Sequence, residues 1–265
     1  DVVICSSRAE REQLQNIYSR LDRKPWVALS TLPFLDSDKQ VRSSEVKKVI
    51  FVPQPDVPGT SAQRTEILLG LDRIASRTPG LRIFIKLRAL SGEEQTHRES
   101  FPYDVLLDDL IARGAVDPRH WAVRSDSMTE VLQDKSALVV TVSSTAAIEA
   151  IARKVPTILI GDFGLNRSLL NGVFRNSGLM KPLDSIDVIG IPRPNEDWLS
   201  KNYFHDSSEN DWLLKVSEAE RIPSPLPSRG DLFRGYLLTE IIRLWLPNMF
   251  GALILSIWAA LKARD

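Results

Sequence analysis

The chain has 265 residues, 43% hydrophobic and 26% charged, the make-up of an ordinary globular protein with one large or two smaller domains. Lys+Arg and Asp+Glu both number 34, which argues against generic nucleic-acid binding, though a local basic patch stays open. A single cysteine, Cys5, excludes an internal disulfide and a Cys-based zinc site, and His97, His120 and His205 lack ligand spacing, so a reducing, cytoplasmic setting is favoured.

The first residues, Asp1 to Ser6, read as a short strand, with no signal peptide visible. Ser7 can cap a helix bearing Leu14, Ile17, Tyr18 and Leu21, and Trp26 to Ser30 reads as a second strand. The polar stretch Ser37 to Lys48 is the expected interdomain linker. Val49 to Val52 starts a new buried strand, and Pro53-Gln-Pro-Asp-Val-Pro58 makes a stiff loop at its carboxyl end, where open α/β sheets bind ligands. Gln54 is the polar group of interest there, either facing a ligand or simply solvated. Ser61 to Arg77 is predicted to be a helix with Ile67, Leu68, Leu71, Ile74 and Ala75 turned inward.

Leu81 to Leu87 is the next strand, and Lys86 interrupts its apolar carboxyl end. A lysine at the tip of an inner strand is costly unless an anion meets it, and Arg88 follows on the same face. The polar loop Ala89 to Glu99 pivots on Gly92. Its Gln95, Thr96 and His97 either line a ligand site with Lys86 and Arg88 or brace the loop. Tyr103 to Arg113 reads as a helix, and Trp121 to Arg124 as a strand. Ser125, Asp126 or Ser127 then touches a ligand or caps the helix Met128–Gln133.

Leu138 to Asp162 organises the chain: a β-branched strand, the turn Ser143-Ser144-Thr145, a helix and the strand Thr157–Ile160. The helix is expected to run through Ile148, Ile151, Ala152 and Val155 and to stop at Pro156. A helix N-terminus at the end of a parallel strand is an anion site, so Ser143, Ser144 and Thr145 are candidate phosphate ligands. Glu149 is placed either to accept from ribose hydroxyls or to pair with Arg153 at i+4. Asp162 sits in the glycine-bearing loop GDFGLN; a kinase reading of it fails for want of the other kinase motifs. Ile186 to Ile191 reads as a weak strand, and the aromatics Trp198, Tyr203, Phe204 and Trp212 as core packing or a partner surface. Ile222 to Arg229 is a Pro/Ser linker. Leu244 to Leu261 is 18 residues without a charge, flanked by basic residues and broken by Pro247, Asn248 and Gly251. It suits a packing helix with peripheral membrane contact better than a membrane span.

The central segment, with S-S-T-x-x-x-E-A and x-P-T-I-L-I, resembles the nucleotide-sugar half of GT-B glycosyltransferases. So does K-L-R-x-L-x-G-E-x-Q-T-H-x-E from Lys86 to Glu99. The nearest similarity is to bacterial transferases related to capsule and polysialic-acid synthases. At the place of the second motif polysialyltransferase-like enzymes carry Lys-x-His-Pro, where this chain has Lys86-Leu87-Arg88. The resemblance implies an α/β fold with a Rossmann-like parallel sheet flanked by helices, and a C-terminal portion of a longer protein. Residues 1–45 would then be a remnant of the N-terminal lobe plus linker, 46–228 the nucleotide-sugar-binding domain, and 229–265 a helical tail. It implies a sugar transferred from a nucleotide-sugar donor to a glycan acceptor in surface polysaccharide synthesis. Ser143, Ser144, Thr145, Lys86 and Arg88 would hold the phosphates, Glu149 the ribose, and His97 would donate a proton or bind phosphate. Gln54, Gln95, Thr96, Ser125 and Asp162 would border the cleft. No metal or cofactor is expected, and the place of action would be cytoplasmic, at the inner membrane face. The alternatives are a nucleotide-sugar 2-epimerase, working on a similar fold without an acceptor, and a non-catalytic assembly subunit of a polysaccharide machine.

Overall fold

The structure, a computed structural model, describes residues 1–22, 24–35, 45–88 and 99–220. The chain divides into two units, one of Asp1–Leu32 with Ser200–Asp265 and one of Pro33–Leu199. The expected linker falls partly, and the tail after residue 220 wholly, outside the described residues. None of the described helices is long and apolar enough to cross a membrane.

The smaller unit holds β1 (Val2–Cys5), α1 (Arg8–Tyr18), β2 (Trp26–Leu29) and a helix at Trp212–Glu220. The two strands pair in parallel. Ser7 caps α1 as expected, its hydroxyl accepting from the Glu10 N–H at 3.0 Å. Cys5, Leu14, Tyr18, Val27 and Leu29 form the core. Asp211 ties the elements together: its carboxylate accepts from the Leu29 N–H at 2.7 Å and pairs with Arg11 at 2.8 Å.

The larger unit is a six-stranded, all-parallel sheet of β3 (Lys48–Phe51), β4 (Arg82–Lys86), β5 (Trp121–Arg124), β6 (Ala137–Thr141), β7 (Thr157–Ile160) and β8 (Met180–Lys181). Its order is β5-β4-β3-β6-β7-β8. Within the unit this is the 3-2-1-4-5-6 order of doubly wound nucleotide-binding folds. β6 is buried along its whole length, which is why it reads as a continuous β-branched run.

Two helices, α2 (Ser61–Arg77) and α3 (Tyr103–Ala112), connect β3 to β4 and β4 to β5; their apolar faces share one core with Val49, Phe51, Ile83, Ile85, Leu138 and Val140. The opposite sheet face packs Ile50, Val52 and Val139 against Val131 and Leu132 of α4 (Met128–Leu132) and Ala150 of α5 (Thr145–Ala152). The reversal of direction between β3 and β6 makes these two strands the switch point.

Two expectations are corrected. The α5 helix ends at Ala152, short of Pro156. Arg153 is its cap, Lys154 takes a left-handed φ of 58°, and the Val155 and Lys154 N–H groups return to the Ala150 and Ile151 carbonyls at 2.8 and 2.9 Å. This pair of bonds is a Schellman closure, and it folds Val155 back against Ala150 in the core. Ile186 to Ile191 is not a strand. The last strand is Met180–Lys181, held by the Gly161 N–H to the Lys181 carbonyl at 2.9 Å, and Pro182 then leads into a short 3-10 turn at Leu183–Ser185. Alternation of apolar residues alone does not make a strand where Gly190 interrupts the run, Pro192 follows it and Ile189 is 90% exposed.

Candidate functional site

The ends of β3 and β6 are joined beyond the strand ladder. The Val52 N–H donates to the Val140 carbonyl at 2.9 Å, and the buried Thr141 hydroxyl donates to the Val52 carbonyl at 2.7 Å. The loops that follow, Pro53–Thr60 and Val142–Ser144, therefore leave side by side at the carboxyl edge, where a doubly wound sheet opens its ligand crevice. Gln54 enters that crevice from β3. Its carbonyl accepts from the Val57 N–H at 3.1 Å, while its buried Oε1 has no hydrogen-bond partner among the described residues.

The three hydroxyls of the turn are not equivalent. Ser143 is fully buried and donates to the Leu170 carbonyl at 2.9 Å, so it braces the turn. Ser144 is the N-cap of α5, its Oγ accepting from the Ala146 N–H at 3.2 Å. Thr145 is half-buried at the first helical position and is the hydroxyl best placed to meet an incoming group. Glu149, one turn along, is half-buried and pairs with Arg153 at 3.1 Å. Burial raises its pKa, and the Arg153 charge and hydrogen bond offset part of that rise. The i+4 pairing foreseen as the alternative role of Glu149 is thus present.

Lys86 and Arg88 sit at the tip of β4, one strand beyond β3 and hence two strands from β6, roughly 10 Å in sheet spacing. Burial lowers the Lys86 pKa, and its ammonium donates to the Leu87 carbonyl at 2.5 Å. Ser125 is exposed in the loop after β5. Its neighbour Ser127 closes a capping box with Glu130 and so has the capping role. Asp162 accepts the Leu183 N–H at 2.8 Å, which steadies the passage out of β8. Gln95, Thr96 and His97 lie outside the described residues.

Sequence reasoning passed over Arg64. It lies on the apolar face of α2 with Ile67, Leu68 and Leu71 and is fully buried. Its guanidinium donates to the Pro58 carbonyl at 2.8 Å and the Phe101 carbonyl at 2.6 Å, pairs with Glu99, and stacks 4.7 Å over the Tyr103 ring. The Ser100 N–H adds a bond to Asp56 at 3.1 Å. Arg64 thereby fastens the loop after β3 to the stretch Glu99–Phe101 that leads into α3. An arginine in register with the leucines of an amphipathic helix was the available signal. Asn171 was also missed: its buried amide donates to the Gly164 carbonyl at 2.8 Å and shapes the loop against which Ser143 is braced.

The family model described as "Putative glycosyltransferase (DUF6716)" matches residues 1–219. Among solved structures, the chain is similar to one titled putative UDP-N-acetylglucosamine 2-epimerase from Listeria monocytogenes, with 12% identity over 85% of this chain and 61% of that one, at a TM-score of 0.50. It is also similar to the pneumococcal O-GlcNAc transferase GtfA in complex with UDP and GlcNAc, with 15% identity over 83% of this chain and 39% of that one, at 0.43. A third is TarM of S. aureus, with 14% identity over 83% of this chain and 43% of that one, at 0.42. At such identities the likeness concerns fold alone, and the epimerase-titled structure is the one of the three whose score carries it. No curated protein matches the chain.

Proposed function

Because the chain belongs to the family "Putative glycosyltransferase (DUF6716)", we propose that it carries the nucleotide-sugar-binding part of a GT-B-type glycosyltransferase, which moves a sugar from a nucleotide donor to a glycan acceptor. The observation that carries the reading is the switch point between β3 and β6, with a hydroxyl-rich turn and the N-terminus of α5 beside it. The N–H groups and dipole of that terminus favour a phosphate, with Thr145 and Ser144 at its base. In this reading Glu149 turns from Arg153 to the ribose hydroxyls. Lys86 and Arg88 take the charge that develops on the departing nucleotide, and the reaction then calls for no metal. His97 is the proposed proton donor. A role in surface polysaccharide synthesis at the inner membrane face, with peripheral contact through residues 244–261, belongs to the same proposal. It rests on sequence.

The test is a thermal-shift panel of CDP, CMP, UDP, GDP and their sugar conjugates, on the parent chain and on Glu149→Ala and Thr145→Val. One nucleotide should raise the melting temperature by mass action, and both substitutions should remove most of the shift. A folded chain that responds to no nucleotide would sink the reading. The fold likeness to the epimerase-titled structure favours a second reading, interconversion of a nucleotide sugar without an acceptor. Epimer formation from the bound donor alone, followed by NMR, would select it.

A further inference from the structure

Parallel sheets are normally covered by apolar side chains on both faces. β4 breaks this rule on one side only. Leu81, Ile83, Ile85 and Leu87 are buried under α2 and α3, while the alternate residues Arg82, Phe84, Lys86 and Arg88 stay half-buried or exposed on the α4 side. Successive members of this row are about 7 Å apart. The register places Lys48 of β3 beside Arg82, Ile50 beside Phe84, and Arg124 of β5 beside Lys86. Phe84 is the centre of the strip: the Lys48 ammonium lies 5.7 Å and the Arg124 guanidinium 5.4 Å from its ring centroid. Lys48, Ile50, Phe84, Lys86 and Arg124 line a recess of about 110 Å³ walled by α4. The recess itself holds three cations, Lys48, Lys86 and Arg124, and two carboxylates, Glu130 and Asp134; with Arg82, Arg88 and Asp126 the whole strip carries five cations and three carboxylates, Lys48 pairing with Asp134 and Arg124 with Asp126, on a chain whose net charge is zero.

We propose that this strip is a docking track for an anionic glycan, running along β4 to the sheet edge where Lys86 borders the donor crevice. Charge complementarity selects an anion. The half-buried Phe84 ring, with Lys48 and Arg124 against it, adds an apolar contact for the C–H groups of a sugar between the cations. A lipid bilayer is too flat to enter a strip walled by α4. A nucleic acid carries too dense a phosphate row for three nearby carboxylates. That the anion is a glycan rests on the glycosyltransferase reading; that the track prefers anions rests on the charges alone.

The test is binding of a decagalacturonate to the full chain by titration calorimetry, against maltodecaose, a single-stranded decadeoxynucleotide, and vesicles containing phosphatidylserine. The variants are Arg82→Gln/Arg124→Gln, both exposed positions, and Phe84→Leu, which keeps an apolar residue under α4; circular dichroism reports their folding. Decagalacturonate should bind at least tenfold more tightly than maltodecaose and more weakly as salt rises. The double variant should lose tenfold and Phe84→Leu severalfold, with the nucleotide thermal shift unchanged. Equal affinity for the two glycans, or no effect of the variants, would overturn the proposal. So would the oligonucleotide or the vesicles binding more tightly through these residues. If the nucleotide panel is blank while decagalacturonate binding persists and responds to the variants, the donor reading fails and the anionic track stands.

Discussion

Glu149 and Cys5 show how burial sets the chemistry of single groups. Burial raises the Glu149 pKa beside a proposed anion site, and Arg153 offsets part of that rise. Removing Arg153 would leave that rise uncompensated, and would alter the site without touching a ligand. Cys5 lies under α1 with its thiol donating to the Ala28 carbonyl at 3.1 Å, and burial, reinforced by the negative Glu10, pushes its pKa from 9.0 up to about 12. The folded state thus favours the neutral thiol. The resulting stabilisation is complete below pH 9 and is lost as pH rises from 9 toward 12. Because thiolate is the reactive form, native protein at pH 8 should resist a disulfide reagent that labels the unfolded chain fully within minutes. Rapid labelling of folded protein would contradict the buried placement of Cys5.

In α5, a terminus is decided by what the last turn can close upon. Pro156 was the obvious stop signal, yet the helix finishes at Ala152 because the Val155 N–H reaches the Ala150 carbonyl and buries Val155. The motif requires a left-handed residue, and Lys154 occupies it at φ 58° where glycine would cost least. Lys154→Gly should therefore stabilise the chain by about 1 kcal/mol in urea unfolding, with an unchanged m-value. A destabilisation would mean that the lysine side chain supports the terminus in some other way. At the other end Ser144 caps the helix, its side chain accepting from the Ala146 N–H. The same contrast separates β6, legible from an unbroken β-branched run, from β8, two residues long and defined by pairing to β7.

The six-stranded sheet and the two-stranded sheet should differ in how strongly they protect their amides. β3 and β6 lie inside a sheet covered around the switch point on both faces, whereas β1 and β2 make a two-stranded parallel pair whose core among the described residues is Cys5, Leu14, Tyr18, Val27 and Leu29. Native-state hydrogen exchange should be slowest in Val49–Phe51 and Leu138–Val140, and faster in Val3–Cys5. Equal protection in the two sheets would mean that they open as one cooperative unit.

The strands β1 to β7, the cap at Ser7 and the helix Ser61–Arg77 were legible in the amino-acid order because each depends on a period or a neighbouring side chain. The turn Ser143–Thr145 and the partner of Glu149 were legible for the same reason, as they lie within one short segment. The separate duties of Ser143, Ser144 and Thr145 were not. Ser143 is defined by Leu170, a carbonyl 27 positions away, which no local pattern encodes. Arg64 meets Glu99 and Phe101 only because α2 and α3 pack on one sheet face, and Lys48, Phe84 and Arg124 meet only because three strands align in register. Local periodicity writes the elements; side chains distant in sequence acquire their roles when burial of apolar surface brings the elements together.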